Sequence, residues 1–496
     1  MIKEKILLGY MAKLAGLVIQ MVGSIVVARI AGPTVVGILA FSMAFVTLFQ
    51  MFADMGIGIA HIKIVSEGEN VSDCIATFGA IKIFCVIFYA AIVLFVFIIR
   101  LLCYPVPFET IDHQYVILLL LAMAIIEQLV MIPQTTFMAR MEQAKQEFPR
   151  LVGIIFLQII KVSVVMMGYQ AIAIAACQLT AALLTGVIVY KMFKNYSIGR
   201  FRKSLAKRYI AIAAPSVFLI GTSYVCDNID RLLLQYFHNA REVGFYSIAY
   251  SIASMIDIIA ISAGSVLFPL YSRYFSQNNI SAIVENIDKY EKAIYGFLMP
   301  VVILCIIYAK NVILYLFGET YIPSAFVAQV LFAGMLIRVT NVSYGNFLFG
   351  RGRFLLSGII KFLECALRVL FIYLFSHPDI MNKGAYGTAV AFVLSTVFIG
   401  IVWRVYSKKE YDKISCSSQI KYILFGIAVM IMFSFFRSRL MQDGNLVNET
   451  LFIGLYLFVV YSFYFKMRWL KKNDLQYILP ASYVKNLIFS CRNIFK

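Results

Sequence analysis

Apolar runs of roughly 20 residues, separated by short polar stretches, recur about fourteen times along this chain, and that is the length a helix needs to cross a bilayer. Their centres fall near Ile19, Met43, Val86, Ala124, Gln158, Leu183, Leu219, Ser254, Cys305, Leu336, Ala366, Leu394, Val429 and Leu457. The pattern predicts an all-α polytopic membrane protein of about 14 transmembrane helices. The loops between the runs are short, including those near Pro105, Thr320, Pro378 and Asp443, so no extramembrane catalytic domain is expected.

Charge adds an orientation. Of 496 residues 62% are hydrophobic and 14% charged, well below the quarter to third that a soluble surface carries. With an even number of crossings both termini share a side, and roughly 30 Lys and Arg residues fall there against about six opposite. The densest block is Lys191, Lys194, Arg200, Arg202, Lys203, Lys207 and Arg208, followed by Arg404, Lys408, Lys409 and Lys413 and by the tail from Lys466. Both termini are therefore expected in the cytoplasm, with the protein multi-pass in its membrane. The net charge of +19 reads as this orientation signal plus attraction to anionic headgroups, and calls for no nucleic acid. Met1 to Lys5 is short, charged and followed at once by a span, so the first helix is expected to be retained. Residues 467–496 mix Trp469, Tyr477 and Phe489 with basic groups and read as an interfacial amphipathic tail.

Motifs for chemistry are missing from the sequence. The nine cysteines are scattered without a Cys-x-x-Cys pair, the four histidines lie far apart, and neither a phosphate-cradling Gly-x4-Gly-Lys-Ser/Thr loop nor His-Glu-x-x-His occurs. No metal, cofactor or catalytic residue is expected, and transport fits better than enzymatic activity.

An internal repeat sharpens that reading. Ala31-Gly-Pro-Thr-Val-Val-Gly37-Ile, where the first span gives way to the second, has a counterpart six spans later in Asn239-Ala-Arg-Glu-Val-Gly244-Phe-Tyr, pairing Gly37 with Gly244. Gly153-Ile-Ile pairs likewise with Gly358-Ile-Ile, and Gly168-Tyr-Gln-Ala with Gly384-Ala-Tyr-Gly. An offset of six spans keeps orientation, so the halves are expected to be parallel repeats about an axis along the membrane normal. The expected segments are a six-helix bundle over 1–192, a basic cytoplasmic linker over 193–208, a second bundle over 209–406, two additional helices over 407–466 and the tail over 467–496.

With these residues in view the chain resembles the polysaccharide-transporter branch of the multidrug/oligosaccharidyl-lipid/polysaccharide (MOP) exporter superfamily, which includes Wzx-type O-antigen flippases. Its carriers are Val27-Ala-Arg29-Ile-Ala-Gly32 leading to Val36-Gly37, Asp54-Met-Gly56-Ile-Gly58, Asp227-Asn-Ile-Asp230-Arg231-Leu leading to Val243-Gly244-Phe-Tyr246, Leu267-Phe-Pro269, and Leu316-Phe-Gly318-Glu-Thr-Tyr321. The resemblance implies two pseudo-symmetric six-helix bundles arranged in a V, alternating access, and outward movement of undecaprenyl-diphosphate-linked oligosaccharide such as O-antigen or capsule repeat units. It also implies membrane lipids, a polysaccharide polymerase and a chain-length regulator as partners. The alternatives are a drug/cation antiporter of the same fold, an integral-membrane glycan polymerase or glycosyltransferase, and a non-catalytic scaffold.

Charges inside the spans point to the working residues. A Lys, Arg or Asp at mid-bilayer costs about 2.5–3.5 kcal/mol, so such groups usually face a cavity or a partner. Lys161, Arg338, Lys361, Arg368 and Arg29 are the candidate cationic cavity, suited to phosphate oxygens by charge-assisted hydrogen bonds. Lys361, Glu364 and Arg368 share one helix face, and Glu364 as a buried structural partner of either cation is the alternative. Lys161 and Arg338 have no acidic neighbour at helical spacing in their own spans. Glu127, Asp257, Glu364 and Asp54 are candidates for H+ or Na+ coupling or for charge pairing, and Asp227, Asp230 and Arg231 for a gate or ion pair. For Arg29 and Lys82, nearer the span ends, snorkelling to the interface is the alternative.

Overall fold

The computed structural model describes residues 2–106, 108–410, 417–440 and 446–466. The tail over 467–496 and the loop near Asp443 lie outside the described residues. The helices, in order, are α1 (Ile2–Leu48), α2 (Met51–Asp54), α3 (Ile57–Ser66), α4 (Val71–Cys103), α5 (Ile111–Ala139), α6 (Gln143–Met166), α7 (Ala171–Phe193), α8 (Lys203–Phe237), α9 (Ala240–Ala253), α10 (Asp257–Ser276), α11 (Ile280–Phe317), α12 (Ser324–Gly350), α13 (Phe354–Ser376), α14 (Gly384–Glu410), α15 (Ser417–Leu440) and α16 (Leu446–Lys466). No strand occurs among the described residues.

Ten of these runs are long and apolar enough to cross a membrane. The fourteen expected is an approximate count, for physical reasons. The α1 run holds two of the expected centres, and it is broken where Gly32 takes φ 81° and ψ 170°, a conformation open to glycine. Pro33 then opens the second limb, where its missing N–H is no loss. Helix α13 falls outside the ten; Lys361, Glu364 and Arg368 all lie in its 23 residues.

The repeat is visible in the order of elements. In each half the second crossing is interrupted: after α2 the backbone turns left-handed at Met55 (φ 45°) and Gly56 (φ 73°), and between α9 and α10 a 3₁₀ turn spans Ser254–Ile256. Four helices follow each interrupted crossing, α4 to α7 after α3 and α11 to α14 after α10. A methyl on Gly37 would fall 1.6 Å from the Ala240 carbonyl oxygen, and one on Gly244 would fall 1.9 Å from that of Pro33. Pro33 precedes Gly37 as Ala240 precedes Gly244, so this contact is reciprocal between the two repeats, and only a residue without Cβ permits it. The Gly153/Gly358 match is less regular: Gly153 lies in the middle of α6, Gly358 in the first turns of α13.

The chain forms two compact units. The first comprises residues up to Ser247 with Leu314–Pro323 and Ile372–Thr388; the second comprises Ile248–Ile313, Ser324–Phe371 and the described residues from Ala389 onward. At one end of the first unit the basic linker is docked. Arg202 pairs with Asp73 at 2.7 Å, Arg208 reaches Glu67 (2.5 Å) and Glu69 (2.6 Å), and Gly199 N–H donates to Ser72 O at 2.9 Å. At the other end Glu109 accepts from Gln235 Nε2 (2.6 Å) and Ala240 N (2.7 Å), while Glu242 accepts from Ala385 N (2.8 Å). In the second unit α15 and α16 rest on α11, where Pro300 interrupts the ladder. Tyr461 OH donates to Phe297 O (2.8 Å) and Tyr456 OH to Pro300 O (3.3 Å), which gives α16 a fixed seat.

Candidate functional site

Inside the first unit α1, α5, α6 and α7 enclose a cavity of about 610 Å³. Its chemistry follows from helical spacing. Arg150, Ile154, Gln158 and Lys161 recur along one face of α6, and Glu127, Met131 and Gln134 along one face of α5. Gln20 and Ser24 come from α1, Gln50 from the turn after it, and Gln178 from α7. Helices α1 and α6 approach closely because α1 carries a glycine here: a methyl on Gly23 would fall 2.2 Å from Gln158 Oε1. Gln158 is only 6% exposed, and its Oε1 has no hydrogen-bond partner among the described residues.

Lys161 and Glu127 both line this cavity, and among the described residues neither makes a hydrogen bond or an ion pair. Next to Glu127 sits Gln128, and behind it Lys82. Rather than snorkelling, Lys82 is 2% exposed and donates to Gln128 Oε1 (2.6 Å) and to Ala53 O (2.7 Å). Ala53 O is among the carbonyls left over where α2 ends, so the ammonium caps a helix C-terminus. Burying it is costly, and these charge-assisted bonds offset the cost. Asp54, at the same interruption, accepts from Tyr224 OH at 3.4 Å.

The second unit holds the other deep charges. Arg338 finds on α10 the acid its own helix lacks: its Nε lies 3.6 Å from Asp257 Oδ2, and its Nη1 donates to Tyr250 OH at 3.0 Å. On α13 Glu364 stands between two cations, 3.0 Å from Lys361 Nζ and 2.7 Å from Arg368 Nη2. Arg368 is 2% exposed, donates from Nε to Ser395 Oγ at 3.2 Å and lies 4.5 Å from the centre of the Phe392 ring. Its charge is thus held by a carboxylate, a hydroxyl and an aromatic face.

The remaining candidates sit in the first unit. Arg29 is exposed and donates to Tyr315 O at 2.9 Å. Asp230, 2% exposed, accepts from Tyr246 OH at 2.7 Å and so ties α8 to α9. Arg231 donates to the Asp227 backbone oxygen at 3.3 Å and lies 3.4 Å from Ser247 Oγ. The structure therefore brings Lys161 and Glu127 to one cavity, joins Arg338 to Asp257, and joins Lys361, Glu364 and Arg368. The glutamines are what charge-based reading passed over; their recurrence at helical spacing beside Glu127 and Lys161 was the available signal.

A bundle of apolar helices with interrupted crossings around a polar cavity defines a multi-pass membrane protein. The model of the polysaccharide biosynthesis protein family matches residues 26–326, more than half of the chain, and the chain belongs to that family. The family match agrees with the resemblance read from the sequence, and a solved transporter of the MOP superfamily shares the fold. Among solved structures the fold is similar to the lipid II flippase MurJ in an inward closed conformation, with TM-score 0.73 and 13% identity over 93% of this chain and 99% of that one. It is also similar to an inward-facing multidrug resistance MATE family transporter of the MOP superfamily, with TM-score 0.64 and 13% identity over 80% of this chain and 95% of that one. An uncharacterized membrane protein of Methanocaldococcus jannaschii is 22% identical over 280 residues, 55% of this chain. That match spans 54%, about half, of the relative's own length.

Proposed function

We propose that this protein moves a lipid-linked oligosaccharide, carried on undecaprenyl diphosphate, from the cytoplasmic to the outer leaflet by alternating access, without covalent chemistry of its own. The observation that carries the reading is the polar cavity, with Lys161 and Glu127 uncommitted inside an apolar bundle, in a member of a polysaccharide biosynthesis family. Polar capacity left unspent inside a membrane is unfavourable unless a ligand or water uses it. The lipid tail stays in the bilayer, so only the sugar-phosphate headgroup has to be desolvated. Lys161 is the cargo contact we favour in this half, and Glu127 the acid placed to carry a coupling H+ or Na+. Both termini lie in the cytoplasm in this reading, as the distribution of basic residues supports.

The test is complementation of a flippase-deleted bacterium displaying the cognate glycan, comparing wild type with Lys161→Ala and Glu127→Gln at matched expression. The expected outcome is about tenfold less surface glycan for each variant, with lipid-linked units accumulating inside. Units that reach the outer leaflet and fail to elongate would instead identify a polymerase.

A further inference from the structure

We infer that the cavity of the first unit is a subsite for uncharged sugar rings, which its glutamine amides hold by hydroxyl groups, and that the diphosphate is not bound there. The inference rests on the transport reading above and narrows it. Six glutamines, Gln20, Gln50, Gln128, Gln134, Gln158 and Gln178, reach this one cavity. Its charges nearly cancel: Lys161 faces the same space as Glu127, and Arg150 lies 3.7 Å from Glu147. A diphosphate would call for several uncommitted cations, and an organic cation for a surplus of carboxylates. The lining supplies neither.

It supplies carboxamides, each with two N–H donors and an accepting oxygen, the complement of a hydroxyl that both donates and accepts. Two of them are set for that task. Lys82 can only donate, so its bond to Gln128 Oε1 fixes that amide and leaves the Gln128 NH₂ as the group to offer. Gln158, more than nine-tenths buried, keeps an oxygen without a partner among the described residues. Amide donors and acceptors offered from neighbouring helices to one cavity are what the hydroxyl groups of a sugar can satisfy. At about 610 Å³ the space lies within the usual ~300–1,000 Å³ of small-molecule sites and suits a short saccharide.

Thermal unfolding of the full chain in lipid nanodiscs tests this, with three neutral disaccharides (chitobiose, maltose and lactose), sodium pyrophosphate and tetraphenylphosphonium as probes. At least one disaccharide is expected to raise the midpoint. Its affinity should fall about tenfold in Gln158→Leu and in Gln20→Leu, the second being at an exposed lining position that tolerates change. Lys289→Gln, outside the cavity, should leave it unaltered. A shift by pyrophosphate or tetraphenylphosphonium that these glutamine variants abolish, or no shift by any disaccharide, overturns the inference. The same variants are then scored for surface glycan in the complemented bacterium. Sugar binding lost with display intact sinks the subsite and leaves the transport reading standing; sugar binding present while the wild type fails to restore display does the reverse.

Discussion

The two repeats place charge at depth in opposite ways. In the first unit Lys161 and Glu127 share a cavity with six amides and have no hydrogen-bond or ion-pair partner among the described residues, whereas in the second unit Arg368, Lys361 and Arg338 each have a carboxylate partner. The helices of the two repeats follow in the same order, so the difference comes from side chains. Glu364 is the residue that makes it: one carboxylate placed i−4 from Arg368 and i+3 from Lys361 satisfies both, while the corresponding face of α6 pairs Arg150 with Glu147 near its start and carries no acid beside Lys161. A bundle can therefore tolerate buried charge either by spending it internally or by leaving it for a ligand, and this chain does both.

Removing Glu364 should break the comparison most sharply. Glu364→Gln strands Arg368 and Lys361 without their shared anion, and a loss of about 3–5 kcal/mol is expected, read as a lower unfolding midpoint in detergent. An unchanged midpoint with lost transport would mean that these charges serve cargo as those of the first unit do. Lys82→Met keeps the volume and removes the donor, leaving Gln128 Oε1 and Ala53 O unsatisfied. About 1–3 kcal/mol should be lost, together with any preference among sugars. The effect on preference separates a positioning role from a merely structural one, which would lower stability alone.

The smallest effect concerns the docked linker. Glu142 sits beside Tyr196 and Lys145; burial works upward on its carboxyl, but the hydrogen bonds from Lys145 and Tyr196 outweigh it and hold the carboxyl below its ordinary range. The Tyr196 hydroxyl is pushed up to about 12, by burial and then by that same carboxylate. A lowered carboxyl stabilises in full above its unfolded value and loses the contribution as pH falls through the folded one. Amide protection around Tyr196, corrected for intrinsic exchange, should thus decline below about pH 4, and Glu142→Gln should remove that dependence.

The sequence by itself determined the all-helical membrane architecture, because apolar run length and the bilayer thickness leave few other solutions. It also marked the break at Gly32-Pro33 and the pairing of Gly37 with Gly244, since backbone freedom and repeat register are local properties. The i, i+3, i+7 spacing put Lys361, Glu364 and Arg368 on one face, although only packing showed that Glu364 lies between the two cations and that Arg368 is sealed against Phe392 and Ser395. Tertiary structure alone decided that Arg338 finds Asp257 on another helix, that Lys82 turns inward to a helix end instead of reaching for an interface, and that glutamines from separate helices meet around Lys161. The physical reason is common to all three. A helix period fixes which side chains share a face, but the fate of a desolvated polar group depends on partners that only the packing of distant segments brings within hydrogen-bond reach.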